Sequence, residues 1–232
     1  MTNALKTVEN NILIYGSYVN AYRAIPSLDG LKAVQRRIFM ALNEMANKPH
    51  KSATIVGQVM GKYHPHGDTS IYGALVNLVR AGLIKGQGNW GCQLMEYLPP
   101  AAQRYTEASR IDAIDDFMFQ LSAHYNTEEN DLGNQEYSQL ILPVPIALLT
   151  GSQGVGVGVA TRIPGFTVQS LWKAYYQDDP YVLEPSVGLR LIDHDLKGLW
   201  EDGYGHLVYE YDVRQEWSDE DDSMVVVIEG DG

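Results

Sequence analysis

Two short helix-forming segments joined by a tight turn constrain the fold of this chain more than any other feature. The first spans residues 52–61 and ends at a glycine, whereas the second begins at Asp68, a predicted N-cap, and stops at Gly82. The residues between them, 62–67, include a proline and a glycine, which favour a turn. Because this connection is too short for a pair of strands, the pattern predicts a helix-turn-helix.

A further helix is predicted over residues 27–46, where apolar residues recur at helical spacing. Leu31, Val34, Ile38, Leu42 and Met45 form the apolar stripe, whereas Lys32, Gln35, Arg36 and Arg37 fall on other faces. The spacing therefore predicts one buried side and one cationic side. Residues 4–22, which are free of proline, predict an opening helix or arm that ends before Pro26.

The middle of the chain predicts one more helix, which is followed by a polar connection. We predict a helix over residues 105–123 and a polar connection over residues 124–139. After Leu140 the sequence consists of short apolar runs rich in β-branched residues and glycine. These observations predict an α+β fold with a helical first part and a strand-rich second part.

Two stretches in the second part predict strands. Valine and glycine alternate from Val155 to Val159, and such small residues let another backbone pack closely. Residues 206–213 and 223–230 predict the two strands of a late hairpin, with its turn at residues 214–222. The glycine-rich run does not fit a dinucleotide-binding turn, because Val159 stands where the third glycine is needed, and a P-loop is absent.

The charge of the chain is divided between its halves. Residues 1–110 carry 12 Lys and Arg against 6 Asp and Glu, whereas residues 111–232 carry 5 against 23, so +6 and −18 give the net charge of −12. The basic surplus permits a polyanion partner, although an acidic excess is usually a solvated surface. We expect a soluble, cytoplasmic protein, since no leader is evident and the apolar run 140–149 is too short to span a membrane. The single cysteine, Cys92, excludes an intramolecular disulfide and a cysteine zinc cluster.

The turn between the two short helices is a candidate anion site. His64, His66 and Lys62 precede the helix at Asp68, whose N-terminus carries free amides and a partial positive charge. The same histidines could instead cap the turn or bind a metal, and a metal hydrolase built on His64, His66 and Asp68 is a remote alternative. The dipeptide Arg104-Tyr105 says little alone, because the chain has 15 tyrosines.

Five sequence blocks resemble one family, in order and over about residues 22–164. They resemble the breakage-reunion subunit of type IIA DNA topoisomerases, which is the A subunit of DNA gyrase and its topoisomerase IV and bacteriophage relatives. The blocks are AIPSLDGLKAVQRRIFMAL, KSATIVGQVMGKYHPHGDTSIYGALVNLV, GQGNWG, AAQRYTEASR and GSQGVGVGVATRIPG. Together they are far more specific than any one alone.

The resemblance implies a catalytic role for four residues. Tyr105 would attack a DNA phosphodiester to form a 5′-phosphotyrosyl link, which conserves the bond energy so that the strand can be resealed. Arg104, Arg23 and His66 would bind the scissile phosphate and stabilise the transition state. The implied DNA-binding residues are Lys32, Arg36, Arg37, Lys62, His64, Thr69 and Ile163, the last as a wedge that enters the base stack.

The resemblance also implies domains and partners. An N-terminal arm (1–22) would precede a winged-helix breakage-reunion domain (23–140) and a truncated, tower-like β-rich region (141–232). Two copies of the chain would form a homodimer, and a heterotetramer with a B-type subunit whose TOPRIM domain holds Mg²⁺ and whose ATPase domain uses ATP. A winged-helix DNA-binding protein without cleavage activity is the alternative. We expect a fragment, a split gene product or a minimal viral version, since the family's tower continues past IEGDG.

The sequence departs from the family pattern at several positions. Gln35 stands where relatives often have histidine, and the connection between Leu78 and Gln87 is shorter than usual. Thr69 and Gly73 lie where bacterial relatives have the hydroxyl and the acidic residue that bind quinolones through a metal-water bridge. Because Gly73 has no carboxylate, we predict weak quinolone sensitivity.

Overall fold

The chain folds into two compact units. A computed structural model describes residues 2–91, 98–120, 126–142, 144–186, 190–210, 212–218 and 223–229, so Cys92 lies outside the described residues. Unit 1 comprises Met1–Ile146 and Gln153–Thr161, whereas unit 2 comprises Ala147–Ser152 and Arg162–Gly232. Unit 1 contains all the predicted catalytic residues.

The helices of unit 1 follow the predicted order. They are α1 (Thr2–Val19), a π-helical turn (Asn20–Ala24), α2 (Ala33–Glu44), α3 (Ser52–Lys62), α4 (Asp68–Arg80) and α5 (Asp112–Gln120). The opening helix and the two helices around the turn are thus confirmed. Asp68 is the first residue of α4 rather than its cap, and Gly82 ends the segment in the left-handed region, at φ 71°.

The core of unit 1 lies among α2, α3 and α4. Large apolar side chains that are buried there include Leu31, Ile38, Phe39, Leu42, Ile55, Ile71, Leu75 and Leu78. Each such burial stabilises the fold by about 1.5–3 kcal/mol. Val34 and Met45, which belong to the predicted stripe, lie at its half-buried edge. The three helices therefore hold the turn between α3 and α4 on a packed base.

A small antiparallel sheet stands beside these helices. Its strands are β1 (His50–Lys51), β2 (Lys85–Gln87) and β3 (Glu107–Ser109), in the order β1-β3-β2. The prediction of helix from residue 105 is therefore wrong at its start, because Ala108 pairs with both His50 and Gly86. Helix begins only at Asp112, after the central strand has ended.

The predicted polar connection contains a hairpin. Strands β4 (Thr127–Glu129) and β5 (Gln135–Tyr137) pair antiparallel. The turn between them is closed by a bond from Gly133 N to Asn130 O, 2.9 Å long, and Gly133 has a φ of 75°. The polar connection predicted for residues 124–139 thus contains two short strands that the sequence analysis did not indicate, although their period-2 segments flank turn residues.

The glycine-rich run forms a tight hairpin rather than one strand. Strands β6 (Ser152–Val155) and β7 (Ala160–Ile163) pair in a two-stranded sheet, so the predicted strand over Val155–Val159 is wrong. The expected close backbone approach is confirmed. A β-carbon on Gly154 would lie 1.9 Å from Ala24 O, and one on Gly156 would lie 2.1 Å from Asn20 Oδ1.

Unit 2 alternates short helices and two-stranded sheets. Its elements are α6 (Ile146–Thr150), α7 (Val168–Gln177), a 3-10 turn (Pro180–Val182), β8 (Arg190–His194), α8 (Leu196–Glu201), β9 (Leu207–Glu210), β10 (Asp212–Ser218) and β11 (Ser223–Glu229). The first residue of α6, Ile146, still belongs to unit 1.

The predicted late hairpin has different strands. β9 pairs with β8, and β10, most of which lies within the expected turn, pairs with β11. The expected partners were therefore wrong, because residues 214–218, which were expected in the turn, continue the strand. Across the described ranges, no helix has both the length and the apolar character needed to cross a membrane.

Candidate active site

Tyr105 lies on a short, anchored loop just before β3. Its amide donates to Ala102 O at 2.8 Å, which closes a turn, and Ala101 N donates to Asn89 O at 2.9 Å. The side chain of Tyr105 is 62% exposed. The phenol therefore faces solvent on a backbone that is held at several points.

The start of α3 fixes the same loop from the other side. Ser52 N donates to Thr106 O at 2.9 Å, and Ala53 N donates to Gln103 O at 3.1 Å. These amides are among the helix N–H groups that have no partner within the helix itself. Thr106 is fully buried, and its hydroxyl contacts Ser52 Oγ at 2.8 Å. The residue after Tyr105 thus anchors the exposed ring to the core.

Arg104 supplies a cation directly at the phenol. Its Cζ lies 4.6 Å from the centroid of the Tyr105 ring, and both side chains are exposed. A guanidinium over an aromatic face is attracted by the negative charge of the ring. Its remaining N–H groups can donate to phosphate oxygens, for which the planar fork is well suited.

A second cationic group joins Arg23 and His66. Arg23 lies on the π-helical turn, where Ile25 N bonds back to Asn20 O at 3.1 Å. Its Nη2 lies 2.8 Å from Nε2 and 3.3 Å from Nδ1 of His66, and its Cζ lies 5.7 Å from the Tyr18 ring centroid. Arg23 donates to the unprotonated ring nitrogen, so this contact selects the neutral form of His66. Burial and the nearby Arg23 and Arg37 also lower the pKa of His66.

His64 is buried behind His66. The two rings meet edge to face, with centroids 4.6 Å apart, and Arg37 Nη1 lies 2.7 Å from His64 Nδ1. Burial, followed by the charges of Arg37, His66 and Arg23, lowers the pKa of His64 to about 4, whereas Asp131 acts in the opposite direction. His64 is therefore neutral at physiological pH.

Arg37 forms a buried ion pair instead of a solvated surface. Its Nε and Nη2 each donate to one carboxylate oxygen of Glu136 at 2.8 Å, and the two side chains are only 5% and 4% exposed. The prediction that Arg37 lies on an exposed cationic side of α2 is therefore wrong. The reason is a carboxylate 99 residues further along the chain, which the helical period does not reveal.

Arg36 is buried in the same way. Its Nε donates to Asp29 Oδ2 at 2.9 Å, and the carboxylate of Asp29 also accepts from the amides of Leu31 and Leu140. The predicted exposure of Arg36 is likewise wrong. In this conformation both guanidinium groups are buried and paired with carboxylates, so Arg36 and Arg37 would have to become exposed to contact a duplex directly.

Two predicted DNA-binding lysines are engaged within unit 1. Lys32 Nζ donates to Gln153 O at 2.6 Å, and burial lowers its pKa. Lys62 pairs with Glu44 and remains partly exposed. Both lysines would have to exchange these contacts for phosphate oxygens to bind DNA.

The two remaining predicted residues are Thr69, in unit 1, and Ile163, in unit 2. Thr69 is exposed in the first turn of α4, where its amide donates to Asp68 Oδ1 at 2.8 Å. Ile163, in unit 2, is half-buried at the end of β7. Among the described residues, no hydrogen bond or ring contact joins Tyr105 to Arg23 or His66. The structure thus forms two groups, Arg104 with Tyr105 and Arg23 with His66.

Three residues of this region carried no signal in our sequence analysis. Asp29 and Glu136 are the buried partners of Arg36 and Arg37, and Asn20 pairs its amide with both backbone groups of Val157. The Asn-Asp-Leu-Gly turn of residues 130–133 could have placed Glu136 on a hairpin. Nothing in the sequence would have indicated its arginine partner.

The Arg23–His66 group and the adjacent Arg37–His64 pair do not suit a divalent metal. The two histidines that might bind a metal have guanidinium groups as their polar neighbours, and these repel cations. In the described part of the chain, no three His, Cys, Asp or Glu side chains are arranged to hold a metal ion. The group is better suited to an anion.

Comparison with known proteins decides the family. The sequence pattern that defines the DNA gyrase/topoisomerase IV A subunit matches residues 23–179. This chain belongs to that family. The matched range includes Arg23, His66, Arg104 and Tyr105, and so covers both groups of the candidate site.

Individual gyrase proteins resemble this chain over most of its length. The DNA gyrase A subunit of Thermotoga maritima is 36% identical over 91% of this chain and 30% of its own length. That of Streptococcus pneumoniae is 40% identical over 70% of this chain and 21% of its own length. The chloroplastic/mitochondrial DNA gyrase A subunit of Nicotiana benthamiana is 39% identical over 71% of this chain and 19% of its own length. The chain therefore spans less than a third of these relatives.

Proposed function

We propose that this chain is the breakage-reunion subunit of a type IIA DNA topoisomerase, with Tyr105 as its nucleophile. One observation carries the proposal: the phenol of Tyr105 is 62% exposed, on an anchored loop, with the Arg104 guanidinium 4.6 Å from its ring centroid. The membership of the chain in the gyrase and topoisomerase IV family supports the same assignment.

The proposed reaction is a reversible transesterification. The phenolic oxygen attacks the scissile phosphorus, a P–O bond to tyrosine forms, and the P–O3′ bond breaks. The phenolic proton leaves, and a proton is delivered to the departing 3′-oxygen. Because one phosphodiester replaces another, cleavage needs no ATP, and the 3′-hydroxyl can attack the phosphotyrosine to reseal the strand.

Arginine supplies the positive charge that this reaction needs. A phenol with a pKa of about 10 is a weak nucleophile at neutral pH, and the transition state places added charge on the phosphate oxygens. Arg104 donates to these oxygens beside the attacking group, and Arg23 with His66 binds the phosphate from the other group. The scissile phosphate or a second copy of the chain must bring the two groups together.

The surrounding fold supports a DNA gate. Helices α3 and α4 with the small sheet β1-β3-β2 support the assignment of residues 23–140 as a winged helix, and the strands of unit 2 support a tower-like region after residue 141. Lys32, Lys62 and Thr69 would hold the duplex backbone, whereas the buried His64 would act through its neighbours. Ile163 would insert between base pairs as a wedge.

The proposed enzyme needs partners. Two strands must be cut, so we propose a homodimer that assembles with a B-type subunit into a heterotetramer. That partner would provide ATP hydrolysis and the TOPRIM domain for Mg²⁺, since the cationic group in this chain does not fit the ion. When bound, Mg²⁺ acts as a Lewis acid on the phosphate.

A cleavage assay tests the nucleophile. The chain is mixed with the B-type subunit, Mg²⁺ and an end-labelled duplex, and the reaction is stopped with detergent. We expect a covalent protein–DNA adduct that disappears in Tyr105→Phe. Tyr204→Phe is the matched control, because Tyr204 is 84% exposed and lies in unit 2, outside the candidate site.

The outcomes of this assay separate the candidates. Cleavage that survives Tyr105→Phe refutes the assigned nucleophile. Duplex binding without any adduct in the unmodified chain favours the alternative, a winged-helix DNA-binding protein that does not cleave. Loss of the adduct in Tyr204→Phe as well would show that the assay reports something other than attack by Tyr105.

A further inference from the structure

Glu136 is a buried carboxylate whose role goes beyond closing its own hairpin. The residue is 3% exposed on β5 and holds both Nε and Nη2 of Arg37 at 2.8 Å. Asn130 Nδ2 lies 3.4 Å from Glu136 Oε2 and 3.1 Å from Lys62 O, at the end of α3. The carboxylate is thus fixed at the base of the turn that carries His64 and His66.

A buried ion pair is a costly way to stabilise a core. The desolvation of two charges offsets most of their attraction, and apolar residues of similar size often stabilise a protein equally well. What the pair does provide is a fixed orientation of the Arg37 guanidinium. Because Glu136 occupies one edge of the Arg37 guanidinium, the remaining Nη1 is held at 2.7 Å from His64 Nδ1.

This bond fixes the protonation state of His64. A ring nitrogen that accepts from arginine carries no proton, so neutral His64 must carry its proton on Nε2. The direction of its pKa shift agrees, since His64 remains neutral to about pH 4. Through Arg37, Glu136 thereby sets the orientation and the tautomer of His64, whereas burial is the main reason that His64 is neutral.

His64 in turn supports His66. The two rings meet edge to face at 4.6 Å, and His66 N donates to His64 O at 2.7 Å. The His66 ring also contacts Arg23, whose Nη2 lies 2.8 Å from His66 Nε2. A continuous series of contacts therefore runs from Glu136 through Arg37, His64 and His66 to the exposed Arg23.

We propose that Glu136 is a positioning residue for DNA cleavage, which acts through Arg37 and His64 to hold the His66 imidazole against Arg23. This inference rests on the proposed function, because it assigns to Glu136 the orientation of a group that binds the scissile phosphate. Buried on β5, Glu136 acts on that group only through its neighbours.

The first test uses the DNA-free chain. Nitrogen-15 NMR of histidine-labelled protein reports the tautomer and the titration of each imidazole, and His64→Gln assigns the His64 signal. We expect His64 as the Nε2–H tautomer, neutral at about pH 5.5, well above its lowered pKa. We also expect a change of its tautomer or pKa in Glu136→Gln. An Nδ1–H tautomer, or an ordinary titration of His64 in the unmodified chain, overturns the proposal even if Glu136→Gln fails to fold.

The second test measures cleavage with the B-type subunit, Mg²⁺ and duplex. We expect Glu136→Gln to slow adduct formation by about one to two orders of magnitude, while duplex affinity changes less than about threefold. Glu136→Asp keeps the charge and should recover part of the rate. The double variant Glu136→Gln/Arg37→Gln should be no slower than the worse single variant, since both residues act through one path. Fully additive losses would show that Glu136 does not act through Arg37.

Asp29→Asn is the matched control. It breaks an equally buried pair at the neighbouring arginine, Arg36, and within the described ranges no side-chain hydrogen bond leads from that pair to His64. It should destabilise the chain and leave the His64 signal in place. Failure of the proposed function remains distinguishable: if Tyr105→Phe abolishes the adduct and Glu136→Gln does not slow it, only the role of Glu136 is refuted. If the unmodified chain forms no adduct, the NMR test still stands.

Discussion

The guanidinium carbon of Arg104 lies 4.6 Å from the centroid of the Tyr105 ring, and both side chains are exposed beside β3. A phosphate that reaches the phenolic oxygen therefore meets a fixed positive charge as well. The two residues are neighbours on a loop that is held both by its own backbone turn and by bonds from the start of α3.

Removal of the Arg104 side chain should slow cleavage strongly. We expect Arg104→Ala to lower the rate of adduct formation by about a hundredfold or more, because one donor to the transition-state phosphate is lost. Single-turnover cleavage of an end-labelled duplex measures the rate. Lys85→Ala removes an exposed cation from the neighbouring strand β2 and should have a much smaller effect. Equal losses in both variants would assign the effect to overall charge.

The close approach at Gly154 predicts an intolerance to alanine. A β-carbon there would lie 1.9 Å from Ala24 O, so the backbone beside Arg23 would have to move. We expect Gly154→Ala to lower the free energy of unfolding by about 1–3 kcal/mol. Gly57→Ala, whose β-carbon would meet nothing within 4 Å in α3, should instead raise it by about 0.5–1 kcal/mol. Urea denaturation of both variants checks this, and a Gly154→Ala variant as stable as the parent would contradict the packing.

The buried His64 predicts a loss of stability in mild acid. Its pKa falls from 6.5 to about 4 on folding, so between these values the unfolded chain binds more protons than the folded one. The contribution of His64 is therefore complete above pH 6.5 and declines as the pH falls towards 4. We expect it to be on the order of 2–3 kcal/mol.

A comparison with His64→Gln isolates this effect. Glutamine can still accept from Arg37 but does not titrate, so the difference between the two pH profiles excludes the carboxylates. Urea midpoints from about pH 7 to about pH 4.5 provide the profiles. Parallel profiles would mean that His64 takes up its proton at the same pH in the folded and the unfolded chain.

Gly73 predicts a response to quinolones. It lies one turn after Thr69 on α4, and a β-carbon there would meet nothing within 4 Å, so a longer side chain fits. We expect Gly73→Glu to increase quinolone-stabilised cleavage by providing the carboxylate that the family's metal-water bridge uses. Gly73→Gln, which has the same size without the charge, should respond like the parent chain. Strong stabilisation of cleavage in the unmodified chain would contradict the assignment.

The sequence predicted the helices of unit 1 well because their apolar period is long and regular. It also placed Arg104 beside Tyr105, since neighbouring residues need no fold to meet. It failed at residues 105–109, where a strand of three residues between two partners has no visible period. Short strands are defined by the segments that they pair with, and these lie far away in the chain.

The burial of Arg36 and Arg37 was the larger failure of the sequence prediction. Helical spacing places Arg36 and Arg37 on the polar side of α2, yet their exposed fractions are only 5% and 4%. Their partners, Asp29 and Glu136, lie 7 and 99 residues away in the sequence. A count of charges can identify a basic segment, but it cannot tell which cations are already neutralised in the folded chain.

The π-helical turn that bears Arg23 sets the rotation of α1 about its own axis relative to the Arg23 guanidinium. A helix rotates by about 100° per residue, and a π turn holds one residue more than an α-helical turn. Deletion of a single residue between Asn20 and Ala24 would thus rewind the turn and swing α1 around its own axis relative to the guanidinium. The length of this one turn therefore sets which face of α1 stands on the same side as the Arg23 side chain.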